Sequence, residues 1–148
     1  MKVTKAIEID MGHAVTNHKS KCKHLHGHRY KIIATVDDRV QDEGSSDGMV
    51  IDFSDLKEAM MVAIDSPFDH AFVIWDQDPR AIGLQEAHRL WHNDIGKFHL
   101  LTFVPTAENL AKRWFELLNS RLLPKKILLY QIEVYETPTS SAIYTIND

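Results

Sequence analysis

The stretch His26-Gly27-His28-Arg29-Tyr30-Lys31-Ile32-Ile33-Ala34-Thr35-Val36-Asp37-Asp38 decides how this chain is read. Its period is two. Tyr30, Ile32, Ala34 and Val36 fall on one face, and Arg29, Lys31 and Thr35 on the other, as in a half-buried strand. His26 and His28 share the apolar face and sit at its entrance end. Upstream, residues 2–13 alternate in the same way. Val3, Ile7, Ile9 and Met11 take odd positions, with Glu8 and Asp10 between them. His13 closes that strand on its apolar face. Paired as a hairpin, the two strands bring His13 to His26 and His28 on one side of the sheet. Three imidazoles with one open position are the donor set of a catalytic zinc site. A lone histidine is more often a surface or capping residue. The strand periodicity and the third imidazole favour the metal here. Gly27, between two of the ligands, leaves room for close approach on the opposite side.

The segment joining the strands, residues 14–25, is polar and basic and reads as a loop. It holds Cys22, the chain's single cysteine, four residues before His26. Lys19, Lys21 and Lys23 surround it, and nearby cations favour the reactive thiolate. The plainer alternative is an inert buried thiol, against which a lysine-rich loop argues. The lysines also suit a polyanion such as a triphosphate, although charge runs are usually just solvated. One cysteine makes no internal disulfide, which fits a reducing cytoplasm.

Beyond the hairpin, Asp42–Gly48 is a loop by composition. Asp52 reads as a helix N-cap, with Asp55 three residues on. Phe53, Leu56, Met60 and Ala63 continue at helical spacing until Pro67, which is expected to stop the helix. Residues 71–104 form an enlarged connection with a short helix from Ala81 to His92. A second clear helix follows Pro105, with Thr106 as N-cap and Leu110, Trp114, Leu117 and Leu118 as its apolar stripe. Pro124 lies beyond its end. Residues 126–136 and 141–147 read as two more strands. The order β-β-α-(insert)-α-β-β predicts an α+β fold, an antiparallel sheet with helices on one face. Its 148 residues suit a single domain over 1–148,.

Composition narrows the function classes. The chain is 44% hydrophobic and 26% charged, with a net charge of −4. These are ordinary globular values, and the acidity argues against a nucleic-acid clamp. No run of about 18 apolar residues predicts a membrane span. The N-terminus carries Glu8 early and has no signal-peptide core. Four of the nine histidines, and the only cysteine, fall between positions 18 and 28.

Other residues suggest chemistry more weakly. In Asp69-His70 the carboxylate can orient the ring in a proton relay. Glu136 shares a strand face with Tyr130, Ile132 and Val134, where a carboxylate needs a partner. A ligand edge with adjacent N–H donors would serve, and so would simple access to solvent. Glu108 lies in the first turn of the second helix, where an acid is favourable in any case. His88 and His92 are spaced for a second metal, but no supporting carboxylate or cysteine accompanies them. His18, His24 and His99 have no assignable role.

In this order the motifs resemble the 6-pyruvoyl-tetrahydropterin synthase superfamily. They are His13; Cys22-Lys23-His24-Leu25-His26-Gly27-His28-Arg29-Tyr30; Gly48-Met49-Val50-Ile51-Asp52-Phe53; Asp69-His70; Pro105-Thr106-Ala107-Glu108-Asn109-Leu110-Ala111; and Glu136-Thr137-x-Thr139-x-x-Ala142-x-Tyr144. The resemblance implies a tunnelling fold, a β-β-α-α-β-β subunit whose sheets join around a ring. It also implies a homo-oligomer, usually a hexamer of two stacked trimers, with active sites between subunits. By this match His13, His26 and His28 bind zinc, Cys22 is the general base, and Asp69 and His70 transfer protons. Glu136 anchors the pterin, with Glu108 and Thr106 assisting. The substrate implied is 7,8-dihydroneopterin triphosphate.

The three residues between Cys22 and His26 are similar to the branch that forms 6-carboxy-5,6,7,8-tetrahydropterin for queuosine, releasing acetaldehyde and triphosphate. The pyruvoyl branch usually has more residues there. Ile9-Asp10-Met11-Gly12-His13 departs from the family's usual Phe-x-Ala-Ala-His, and Phe72-Val73-Ile74 replaces its Leu-Asn. The alternatives are pyruvoyl-type activity and a zinc-stabilised, non-catalytic oligomer. The retained Cys22, Asp69, His70 and Glu136 count against the second.

Overall fold

The structure, a computed structural model, describes residues 1–92 and 96–148. Lys2–His13 forms strand β1 and His26–Asp37 forms β2. They pair antiparallel, with His13 opposite His26 and Met11 opposite His28. Tyr30, Ile32, Ala34 and Val36 are wholly buried. The expected hairpin and its inward face are therefore the observed ones. Leu129–Thr137 (β5) pairs antiparallel with β2, and Ser140–Thr145 (β6) with β5.

Helices cover the inward face. Asp52 caps α1 (Phe53–Met60), its carboxylate accepting the Ser54 N–H at 2.7 Å. Pro67 does not stop this helix outright. The backbone widens into a π-helical stretch at Met61–Asp65 and makes one last turn, α2, at Ser66–Phe68. Proline lacks an N–H and crowds the carbonyl four residues back, and a wider turn ahead of it eases both problems. Thr106 caps α4 (Ala107–Leu122), which buries Leu110, Ala111, Trp114, Phe115, Leu118 and Leu122. Those side chains join Ile9, Met11, Ile32, Ile132 and Val134 in the main core. Full burial of one such side chain is worth about 1.5–3 kcal/mol.

The enlarged connection holds more than the expected helix. Phe72–Trp75 (β3) and Phe98–Leu101 (β4) flank α3 (Ala81–His92). Strand β3 runs parallel to β1, and β4 parallel to β3. Among the described residues the six strands form one sheet, in the order β4-β3-β1-β2-β5-β6. Parallel neighbours need a crossover, and α3 supplies it. Val73 points into the main core, whereas Phe72 and Ile74 pack with Ala81, Leu84, Phe98 and Leu100 in a second cluster. Successive strand residues face opposite sides. At this edge, then, a helix also covers the far face. Gly12 permits the join: a Cβ there would fall 2.6 Å from Phe72 Cδ2.

Candidate active site

The end of the β1–β2 hairpin collects the three imidazoles. The donor atoms of His13, His26 and His28 all lie within 4.8 Å of one another. His13 is fully buried, and its Nδ1 donates to the Pro105 carbonyl at 2.8 Å. His26 Nδ1 donates to the His24 carbonyl at 2.7 Å. A carbonyl only accepts, so each contact places the proton on Nδ1 and leaves the Nε2 lone pair free. The two Nε2 atoms stand 3.0 Å apart. Facing lone pairs repel at that distance unless a cation or proton lies between them. His28 Nε2 is buried with no hydrogen-bond partner among the described residues, and Glu136 Oε1 lies 3.6 Å away.

Burial, the largest effect, pulls His13 down to about 4. The Pro105 carbonyl opposes this, and His26 and His28 add to it. Burial also lowers His28, against the pull of Glu136. A neutral ring with a free lone pair is what a metal needs. Nitrogens sharing a tetrahedral zinc at ~2.0–2.1 Å stand roughly 3.3 Å apart, near the 3.0 Å between the His13 and His26 Nε2 atoms,. The donor set, the carbonyls behind it and the orphaned His28 nitrogen fit such an ion.

Cys22, Thr106, Glu108 and Glu136 line one cleft of about 300 Å3, together with Val15, His18 and Ser140–Ala142. Cys22 sits in a 3-10 turn, Lys21–Lys23, partly exposed, with Sγ 4.0 Å from Ser20 Oγ. Glu136 is the extra residue of a bulge: Tyr135 faces Ser141 and Thr137 faces Ser140 across the β5–β6 ladder. A bulge re-aims a side chain. Here it belongs to a carboxylate that borders both the Cys22 cleft and a groove of about 700 Å3 beside His28.

Asp69 and His70 do form a pair. Asp69 Oδ2 lies 2.7 Å from His70 Nδ1, and its Oδ1 accepts the Asp10 N–H at 2.9 Å. That backbone bond, followed by the one with His70, holds the Asp69 carboxyl below its ordinary range. His70 turns at φ 59°, and it lines a cavity of about 620 Å3 that includes Gly12, Gly27 and His28 but not Cys22. The structure therefore pairs Asp69 with His70 but does not bring the pair into the Cys22 cleft of its own chain.

Some residues escaped the sequence reading. His18 borders the cleft, its Nδ1 accepting the Ser20 N–H at 3.0 Å. The His24 carbonyl orients His26. His99 Nε2 donates to the Pro67 carbonyl at 2.8 Å, a structural contact. Asp78, fully buried, and Arg80, partly exposed, form an ion pair beside the Cys22 loop. An acid and a base flanking Pro79 were the only signal for it. The possible His88–His92 pair lies partly outside the described residues, since it needs the His92 side chain.

The chain is similar to known proteins over nearly its whole length. The family model described as 6-pyruvoyl tetrahydropterin synthase matches residues 2–147. The 6-carboxy-5,6,7,8-tetrahydropterin synthase of Haemophilus influenzae is 33% identical over 143 residues, 97% of each chain. That of Rickettsia bellii is 34% identical over 143 residues, 93% of this chain and 95% of its own. Among solved structures, an uncharacterised protein of Wolinella succinogenes superposes with a TM-score of 0.82 at 26% identity, covering 99% of this chain and 98% of that one. The 6-pyruvoyl tetrahydropterin synthase of Caenorhabditis elegans gives 0.69 at 24% identity, over 98% and 94% of the two chains, a likeness of fold. Among the described residues no helix is long and apolar enough to cross a membrane. A match over nearly the whole chain, on a sheet that gathers the three histidines, places this protein in the 6-pyruvoyl tetrahydropterin synthase family of enzymes.

Proposed function

We propose that the chain is a zinc-dependent pterin synthase. With one water taken up, it converts 7,8-dihydroneopterin triphosphate to 6-carboxy-5,6,7,8-tetrahydropterin, releasing acetaldehyde and triphosphate, as in cytoplasmic queuosine biosynthesis. One observation carries the reading: Glu136 reaches both His28 and the cleft that holds Cys22. The names of the curated relatives supply the product.

His13, His26 and His28 would hold the zinc, which supplies Lewis acidity toward the substrate's side-chain oxygens. Glu136 accepts the adjacent N–H donors of the pterin edge and fixes the ring in the cleft, with Thr106 and Glu108 at its border. Cys22, as thiolate, removes a side-chain proton. Orientation by the cleft makes that transfer effectively intramolecular. The exposed Lys19, Lys21 and Lys23 receive the triphosphate. His70, oriented by Asp69, relays protons. Because it faces a different cavity, the relay reaches Cys22 only from a second copy of the chain. That requirement supports a homo-oligomer, a hexamer of two stacked trimers with active sites between subunits.

The reading is tested by incubating the zinc-loaded protein with 7,8-dihydroneopterin triphosphate, then measuring the product mass and any aldehyde. The carboxylated pterin with acetaldehyde is expected. A pyruvoyl product without acetaldehyde would move the chain to the other branch. Unchanged substrate would leave a zinc-stabilised, non-catalytic assembly.

A further inference from the structure

We infer that Asp78 and Arg80, in the turn between β3 and α3, are positioning residues that set the place of Cys22. The inference deepens the role proposed for that thiol and rests on it.

The Cys22 loop has bonds of its own, such as the His18 N–H to the Val15 carbonyl at 3.2 Å and the His24 N–H to the Lys21 carbonyl at 3.0 Å, but these are internal and do not tie it to the rest of the fold. It joins β1 to β2 without belonging to either, and its three lysines point to solvent. Segments with few buried apolar contacts open easily. Two bonds from distant sequence anchor it to the neighbouring turn. The Asp78 side chain has no exposed surface. Its Oδ2 accepts the Thr16 hydroxyl at 2.7 Å and Arg80 Nη2 at 2.7 Å. Its Oδ1 accepts the Arg80 backbone N–H and Nε, both at 2.9 Å. This leaves Arg80 Nη1, which donates to the Lys23 carbonyl at 2.7 Å. Thr16 lies near the start of the loop, and Lys23 directly follows Cys22. Within the loop, the Val15 N–H donates to the Cys22 carbonyl at 2.9 Å.

One ion pair, a buried Asp78 and a partly exposed Arg80, thus ties down both sides of the thiol. The planar guanidinium suits this task because it bonds a carboxylate through two nitrogens and still presents a third. Lysine could hold Asp78 or the Lys23 carbonyl, but not both in this geometry. A displacement of about 1 Å at a reacting group can cost on the order of a hundredfold in rate. The insert, on this account, acts as a brace for the base-bearing loop.

Cys22 is the only cysteine, so alkylation by iodoacetamide reports on it alone. Arg80→Gln, Arg80→Lys and Thr16→Val are compared with the parent below their melting temperatures. Arg80→Gln is expected to raise the Cys22 alkylation rate at least about threefold. It should also lower kcat about 10- to 100-fold with little change in KM, while zinc content stays at the parent level. Arg80→Lys should fall between the two. Thr16→Val should shift both readouts the same way by less. Alkylation and kcat both within about twofold of the parent in all three would overturn the inference and leave the pair as a fold-stabilising contact. Should Arg80→Gln not fold, Thr16→Val decides, since it leaves the ion pair in place. Alkylation needs no pterin turnover, so a parent inactive on the pterin would refute the proposed function without touching this result.

Discussion

The β1–β2 hairpin and the segment from Phe72 to Leu101 both border the Cys22 loop, and they are held by different forces. The hairpin strands are 12 residues each and pair continuously from Lys2–Asp37 to His13–His26. Ile7, Ile9 and Met11 of β1 and Tyr30, Ile32, Ala34 and Val36 of β2 are anchored in the main core, so the imidazoles at the hairpin's end inherit a stiff base. The insert's strands are four residues each, and β3 meets β1 only at Gly12–Phe72 and His13–Val73. A small apolar cluster, the Asp78–Arg80 pair, Val73 in the main core and polar contacts from Lys97 and His99 to the α2 turn hold the rest. A metal site built on the first region tolerates little movement. A loop braced by the second can be retuned by single polar contacts.

The largest effect that tests this division is chemical. Cys22→Ala is expected to lower turnover about 10²–10⁴-fold while leaving zinc content and melting temperature as in the parent. Near-normal turnover would remove Cys22 from the base role. Next, Glu136→Gln should lower kcat/KM for the pterin roughly a hundredfold through its loss as an acceptor, with zinc retained. Loss of zinc in that variant would show that the hairpin end depends on β5.

The insert is expected to answer in stability. Asp78→Asn should cost about 2–3 kcal/mol at neutral pH, read from the denaturant midpoint. The sign with pH follows from the carboxylate, which the Arg80 hydrogen bonds hold well below the usual range. On acidification the unfolded chain takes up this proton before the folded one. The stabilisation is thus whole above about pH 5 and fades below the ordinary aspartate value of ~3.9. The gap between parent and variant should narrow from pH 7 to pH 3. A constant gap would mean that Asp78 contributes packing rather than charge. The smallest effect is expected at the seam between the two regions. Gly12→Ala should cost about 1–2 kcal/mol through its clash with Phe72, and less in a Phe72→Leu background.

The same division governs what could be read beforehand. His13, His26 and His28 were legible because strand period places side chains by local geometry alone, and the apolar face orients them. Thr106 and Asp52 were legible as caps for the same local reason. Strands β3 and β4 were not. Four residues carry too little alternation, and their state is set by the edge of β1. Pro67 misled because the π-helical widening ahead of it is a backbone adjustment with no side-chain signature. The separation of His70 from Cys22 depends on which side of the sheet a turn opens, which Asp69-His70 alone does not encode. Asp78 and Arg80 bond to Thr16 and Lys23 across 62 and 57 residues, beyond any local pattern.

The central claim is that the hairpin end holds the metal the chemistry requires. Metal analysis of the purified protein and of His28→Ala tests it most directly. The account predicts about one zinc per chain in the parent and its loss in the variant, with the fold retained by circular dichroism. Full zinc occupancy in a folded His28→Ala protein would contradict it.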